Sequence, residues 1–197
     1  MSAALKMVHP RTLERLLTAA DLAALPDELP SGPVRYELNN GRLVIMPPPG
    51  GEHGSFELSI GTEFKIQGER QGHGKAMSGD VGIVLWKDPD RVVGADVAFI
   101  CKVSLPLRFS KEGYLETIPD AVAEVKSKND TWPEILAKVR DYLKAGVRVV
   151  LVADPKSQTV TVYRRGRKPK VFRSKDTLTL DDIIPGFRMA VAEVFAV

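Results

Sequence analysis

The chain has one cysteine, no long apolar run and no glycine-rich phosphate loop, and each shortage closes a class of answer. With Cys101 alone among 197 residues, no disulfide forms within one chain, and the cysteine, set in an apolar run, reads as a small core residue in a reducing compartment. Nowhere do 18 apolar residues follow one another, and residues 1–25 never sustain the apolar core of a signal peptide. The reading is a soluble, cytoplasmic protein without a membrane partner. No glycine-rich turn leads from a strand into a helix, and no Ser, His and Asp arrangement can be discerned, so nucleotide hydrolysis and acyl transfer lack support. Three histidines in the whole chain offer nothing at zinc-ligand spacing.

What is present fits one domain over residues 1–197, with an N-terminal helical segment over residues 1–30. At this length the chain can bury a continuous core without staples, and 44% hydrophobic against 27% charged residues agrees. The net charge of +3 is local in origin. Arg164, Arg165, Arg167, Lys168, Lys170, Arg173 and Lys175 follow one another with no acidic residue between them, and without them acidic residues outnumber basic ones. Such a patch attracts a polyanion, and a solvated hairpin edge guarded by cations looks the same.

Thr12 to Ala24 repeats apolar residues at helical spacing, with Thr12 placed as N-cap and Pro26 ending it. Arg35 to Met46 is a hairpin about Asn39-Asn40-Gly41, and the Pro-Gly run from Pro47 breaks it. Phe56, Ile60 and Phe64 put a helix over residues 52–71. The middle third reads as sheet from Ala76 to Trp86, then a loop from Ser104 to Glu116. Thr131, Pro133 and Glu134 form a capping box whose helix runs to Ala145 and stops at Gly146. Strands over residues 147–153 and 158–163 follow. Strand, helix, strand at that spacing predicts one parallel crossover in an otherwise antiparallel sheet.

Two strand-like runs each carry an acidic residue among apolar neighbours, Asp96 between Ala95 and Val97, and Glu124 between Ala123 and Val125. Strand side chains alternate with period two, so Glu124 and Lys126 are expected on one face, sharing a pocket. With Asp96 on the adjacent strand, that face holds two carboxylates, the oxygen donors that Mg²⁺ draws from proteins. Charges in such apolar strands are costly to bury unless they pair or hold an ion. Asp120 competes as a ligand, but four residues along one strand place it about 13 Å from Glu124, and Asp96 is preferred. His53, after the Pro-Gly loop, can contact a phosphate or the water, or be structural. Tyr142, one turn beyond Lys138, reads as packing against the sheet.

These residues carry a resemblance. Tyr36-Glu37-Leu38-Asn39-Asn40-Gly41, Met46-Pro47-Pro48-Pro49 with His53, the run Ala95 to Ile100, and Pro119 to Val125 occur in the order seen in the Uma2 family. Lys138, Tyr142, Ala145-Gly146-Val147 and Val152-Ala153-Asp154-Pro155 complete that order. The chain thus resembles this family within the PD-(D/E)xK nuclease superfamily. The resemblance implies an α/β fold of restriction-endonuclease type, a mixed sheet flanked by helices. It further implies a metal-dependent endonuclease acting on DNA, with Mg²⁺ or Mn²⁺ bound by Asp96, Glu124 and the main-chain carbonyl of Val125. Lys126 would then orient or deprotonate the attacking water, with Glu37 as the early glutamate near the metal, or else paired with Arg35 or Arg42. Many family members lack a lysine at the place of Lys126. Its presence leaves Lys138, the helical lysine of the family pattern, either catalytic or supporting the sheet. Arg164, Arg165, Arg167 and Lys168 are the expected phosphate contacts, and a homodimer follows from the need to cut two strands. The rival reading is a binding module that keeps the nuclease fold without turnover.

Overall fold

The computed structural model describes residues 15–107 and 113–196. In chain order the elements are α1 (Ala19–Ala23), β1 (Glu28–Leu29), β2 (Gly32–Pro33), β3 (Arg35–Asn39), β4 (Arg42–Met46) and α2 (Gly51–Glu63). Next come β5 (Gly74–Trp86), β6 (Arg91–Cys101), β7 (Ala121–Val125), α3 (Trp132–Ala145) and β8 (Val149–Asp154). The chain finishes with β9 (Thr159–Arg164), β10 (Lys170–Arg173), β11 (Thr177–Thr179), β12 (Arg188–Ala190) and α4 (Val191–Val194).

Eight strands form the main sheet in the order β10-β9-β8-β7-β6-β3-β4, with β5 also paired to β6. β7 and β8 run parallel and every other pair is antiparallel, so α3 makes the one expected crossover. Its capping box is present, with Thr131 and Glu134 exchanging bonds, and Gly146 closes it at a φ of 115° that a side chain would strain. α2 continues through a π-helical turn, Phe64–Glu69, short of the residue 71 end that periodicity suggested. The N-terminal helix starts later than expected. Thr18, not Thr12, caps it, because Asp21 three residues on completes a capping box; Thr12 and His9 lie outside the described residues. Part of the loop from Ser104 likewise lies outside them, and its far end makes a bridge, Leu115 opposite Ile83.

The sheet is buried on both faces. Phe56 and Ile60 of α2, Phe64 of the π-helical turn, and the C-terminal Leu178, Phe187 and Val194 join Val97, Phe99, Ala121, Ala123 and Leu151 in one cluster. Ile135, Val139 and Tyr142 of α3 cover Val93, Ala95, Val122, Val150 and Val152 in another. Along β6 the odd-numbered residues therefore change sides, Val93 and Ala95 packing with α3, Val97, Phe99 and Cys101 with α2. The change falls at Asp96. Opposite it β5 bulges, since Ser78 pairs with Val97 and Val81 with Ala95, setting Gly79 and Asp80 against a single residue. Among the described residues no helix is long and apolar enough to cross a membrane.

Candidate active site

β6 has three strand partners and is long enough to need them. β5 runs along one edge, while β3 meets the other at Val92 and β7 meets it at Val97, Ala98 and Phe99. Between those contacts the edge of β6 from Gly94 to Asp96 is left to side chains. Where the β6–β7 ladder would add its next rung, Asp96 Oδ2 instead accepts from the Val125 N–H at 2.6 Å. The Gly94 N–H donates to Glu37 Oε1 at 3.0 Å, and the Gly94 carbonyl accepts from Lys138 Nζ at 2.7 Å. Buried backbone groups need such partners, and here carboxylates and an ammonium supply them.

Lys138 is the hub of the α3 side. Its ammonium lies 3.0 Å from Glu124 Oε2 and 3.1 Å from Glu37 Oε1. Tyr142, one turn further along α3, donates from its hydroxyl to Glu124 Oε1 at 2.6 Å. Arg91 reaches Glu37 Oε2 at 3.3 Å and Asp141 at 2.8 Å. Burial pushes the Glu124 carboxyl up to about 7, with Asp96 adding to the rise while Lys138 and Tyr142 oppose it. Burial works against charge at Lys138 too, but Glu124, Glu37 and Asp96 outweigh it and hold the ammonium above its ordinary range. Glu37, opposed by burial yet facing Lys138 and Arg91, is held below the usual carboxylate range.

The α2 side is built on His53. Its Nε2 donates to the Val125 carbonyl at 2.9 Å and lies 3.3 Å from Asp96 Oδ2. Burial disfavours the imidazolium, and Asp96 and Val125 more than offset it, raising the pKa. One turn later on the same helix face stands Glu57, buried, its Oε1 accepting from the Gly79 N–H of the β5 bulge. His53, Glu57 and Asp96 each offer a ligand atom, all within 4.8 Å of one another.

The structure thus brings together Asp96, Glu124, Glu37, His53, Lys138 and the Val125 backbone. Lys126 stands apart. It follows the last residue of β7, and its Nζ donates to the Ser127 carbonyl at 3.2 Å; the lysine paired with Glu124 is Lys138. Glu37 pairs with neither Arg35 nor Arg42. Tyr142 packs against the sheet as expected and also bonds Glu124. Asp120 lies at the other end of β7, accepting from the Cys101 N–H at 2.7 Å and paired with Arg148. The basic hairpin does not converge on the site. Through the register Arg164 aligns with Val149, and Val149 with Ala121, whereas Val125 aligns with Ala153. The turn bearing Arg165, Arg167 and Lys168 is therefore at the opposite end of the sheet, beyond about 13 Å along the strands at their ordinary rise. Arg164 itself is tied to Asp182 by two bonds of 2.9 Å. Three residues of the site escaped the sequence reading, Arg91, Tyr142 as a donor, and Glu57, and only the last left a signal, the helical i, i+4 spacing from His53.

A mixed sheet split along its central strand β6, with acidic residues gathered in the split, defines a restriction-endonuclease-like α/β fold. The chain belongs to the Uma2 family, whose description is "Putative restriction endonuclease" and whose profile matches residues 20–192. It is similar to a solved structure described as a "putative nuclease belonging to DUF820" from Anabaena variabilis, with a TM-score of 0.73 at 18% identity, covering 91% of this chain and 97% of that one. Among curated proteins none matches the chain.

Proposed function

We propose that the protein is a metal-dependent endonuclease that hydrolyses DNA phosphodiester bonds. The observation that carries this reading is the gathering of Asp96, Glu124 and the Val125 backbone with the half-buried Lys138, where the β6 edge lies open between β3 and β7. The residues fit a divalent cation. Asp96 and Glu124 are buried carboxylates on adjoining strands, and the Val125 carbonyl points into the same space, where it now accepts from His53. Asp96, Glu124 and Val125 would hold Mg²⁺ or Mn²⁺, which when bound polarises a phosphoryl oxygen and lowers the pKa of a coordinated water.

The remaining steps belong to the side chains. Lys138 stays protonated, so it serves as a fixed positive charge for the negative charge that builds on phosphorus. Glu37, Glu124 and the Gly94 carbonyl hold it in place, and Arg91 in turn pairs with Glu37. Lys126, half-buried just past the end of β7 and bonded through its ammonium to the Ser127 carbonyl, would have to leave that carbonyl to orient the water. Water oxygen attacks phosphorus in line, and the bond to the 3′ oxygen breaks. His53 would stand beside the bound ion and the phosphate, and the exposed Arg165, Arg167 and Lys168 would grip the duplex at a distance from the cut.

Incubation with supercoiled plasmid and Mn²⁺ tests the reading. Nicking by the wild type, with at least about a hundredfold loss in Asp96→Asn and Glu124→Gln, is the expected result for residues of a metal site. Equal nicking by all three proteins, or none at any metal concentration, sinks it. Salt-sensitive DNA binding without cleavage would instead favour a binding module.

A further inference from the structure

The charges around the split are unevenly matched. On the α3 side Glu37 and Glu124 face Lys138 and Arg91 at 3.0–3.3 Å. On the α2 side Asp96 and Glu57 share only the imidazole of His53, and among the described residues no lysine or arginine nitrogen lies within 4.0 Å of either carboxylate. Asp96 and Glu57 are 5% and 8% exposed. Buried carboxylates side by side are costly unless one keeps its proton or a cation compensates them. The ring that faces them has its other nitrogen, Nδ1, buried without a partner among the described residues.

We propose that Glu57, with His53 and Asp96, forms the principal cation-binding set of this site, and that Glu124 contributes less to ion affinity than to holding Lys138. The proposal rests on the metal-dependent reading above and assigns the ion to the α2 side of it. An imidazole among the donors suits Mn²⁺ better than Mg²⁺, which prefers oxygen alone. The β5 bulge has a part in this. Its Gly79 N–H occupies one oxygen of Glu57 and so helps to fix the carboxylate, of which one oxygen lies within 4.8 Å of the ligand atoms of His53 and Asp96.

Glu57→Gln separates this role from a merely structural one, because the amide oxygen still accepts from Gly79 while the charge is gone. Mn²⁺ binding to the full chain, followed by the electron paramagnetic resonance of free Mn²⁺, is compared for wild type, Glu57→Gln and Glu124→Gln. Each is measured alone and with a non-cleavable phosphorothioate duplex. The expected result is at least tenfold weaker Mn²⁺ binding in Glu57→Gln, a smaller loss in Glu124→Gln, and a metal-free melting temperature for Glu57→Gln no lower than wild type. His53→Gln should narrow the preference for Mn²⁺ over Mg²⁺. Equal Mn²⁺ affinity in wild type and Glu57→Gln overturns the proposal and leaves the nuclease reading standing. A wild type that binds no Mn²⁺ with or without the duplex overturns both. A fall in metal-free stability with Mn²⁺ affinity intact assigns Glu57 to the bulge alone, and the proposal fails.

Discussion

Lys138 neutralises two buried carboxylates with one ammonium, and removing it leaves Glu124 without a cation and Glu37 with Arg91 alone. Lys138→Met should therefore lower unfolding stability by about 3 kcal/mol, the cost of an uncompensated buried charge, measured by urea denaturation. Tyr142→Phe removes a single donor to Glu124 and should cost about 1 to 2 kcal/mol. Lys126→Met should stay within about 0.5 kcal/mol of wild type, as surface substitutions do, while slowing plasmid nicking. A stability loss at Lys126 equal to that at Lys138 would contradict this division. The pocket around Asp96 and Glu124 was legible because two acidic residues stood in apolar strands. Its lysine was legible only through the family pattern that names Lys138; strand alternation pointed to Lys126 instead, because period two holds only inside a strand and β7 stops at Val125. The ammonium comes instead from α3, 14 residues from Glu124, and reaches it only through the direction in which the crossover packs.

At the next scale up, the π-helical turn after α2 is fastened to β5 through Glu69, whose carboxylate takes both the Lys65 and Lys75 ammoniums and the Ala76 N–H. Burial alone would raise this group, but the two lysines and the amide carry it down to about 2 from an ordinary 4.5. A carboxylate depressed on folding adds stability above its unfolded pKa and loses it as pH falls through the folded one. Between pH 4.5 and 2 the wild-type denaturation midpoint should fall more steeply than that of Glu69→Gln, and parallel curves would show that the clasp contributes nothing. For α3, Thr131→Ala removes the acceptor of the capping box and should cost about 1 kcal/mol in the same measurement. That helix was legible to the residue because Thr131, Glu134 and Gly146 mark both ends. The first helix was misplaced by a rival threonine, Thr18, whose capping box with Asp21 uses an aspartate where the usual pattern has glutamate.

Over the whole molecule the alternation of strands and helices disclosed the mixed sheet and its single parallel pair, yet the sequence held no sign of the split. The split arises from where ladders end, with β3 leaving β6 near Val92 and β7 beginning near Val97, and neither limit has a composition of its own. The basic hairpin was legible as charge but not as position. Because it lies away from the split, reversing Arg165, Arg167 and Lys168 to Glu should reduce the slope of log affinity against log salt by about 0.9 for each phosphate that is no longer neutralised. Turnover at saturating DNA should be preserved. A changed turnover with an unchanged salt slope would remove the hairpin from the DNA-binding surface.

The central strand β6 has a consequence for how the molecule opens. Paired on one edge by β5 and on the other by β3 and then β7, with side-chain bonds at Gly94 and Asp96 filling the gap between those two, and buried from Ala95 to Cys101, it is held on both edges. Its amides should be among the slowest to exchange with deuterated solvent, at the rate set by global opening. Asp96 sits near the start of that stretch, so opening of the pocket should be coupled to opening of the strand that carries it. Local fluctuations that loosen the loops around it leave its acidic groups in register, and they come apart only when the chain as a whole does.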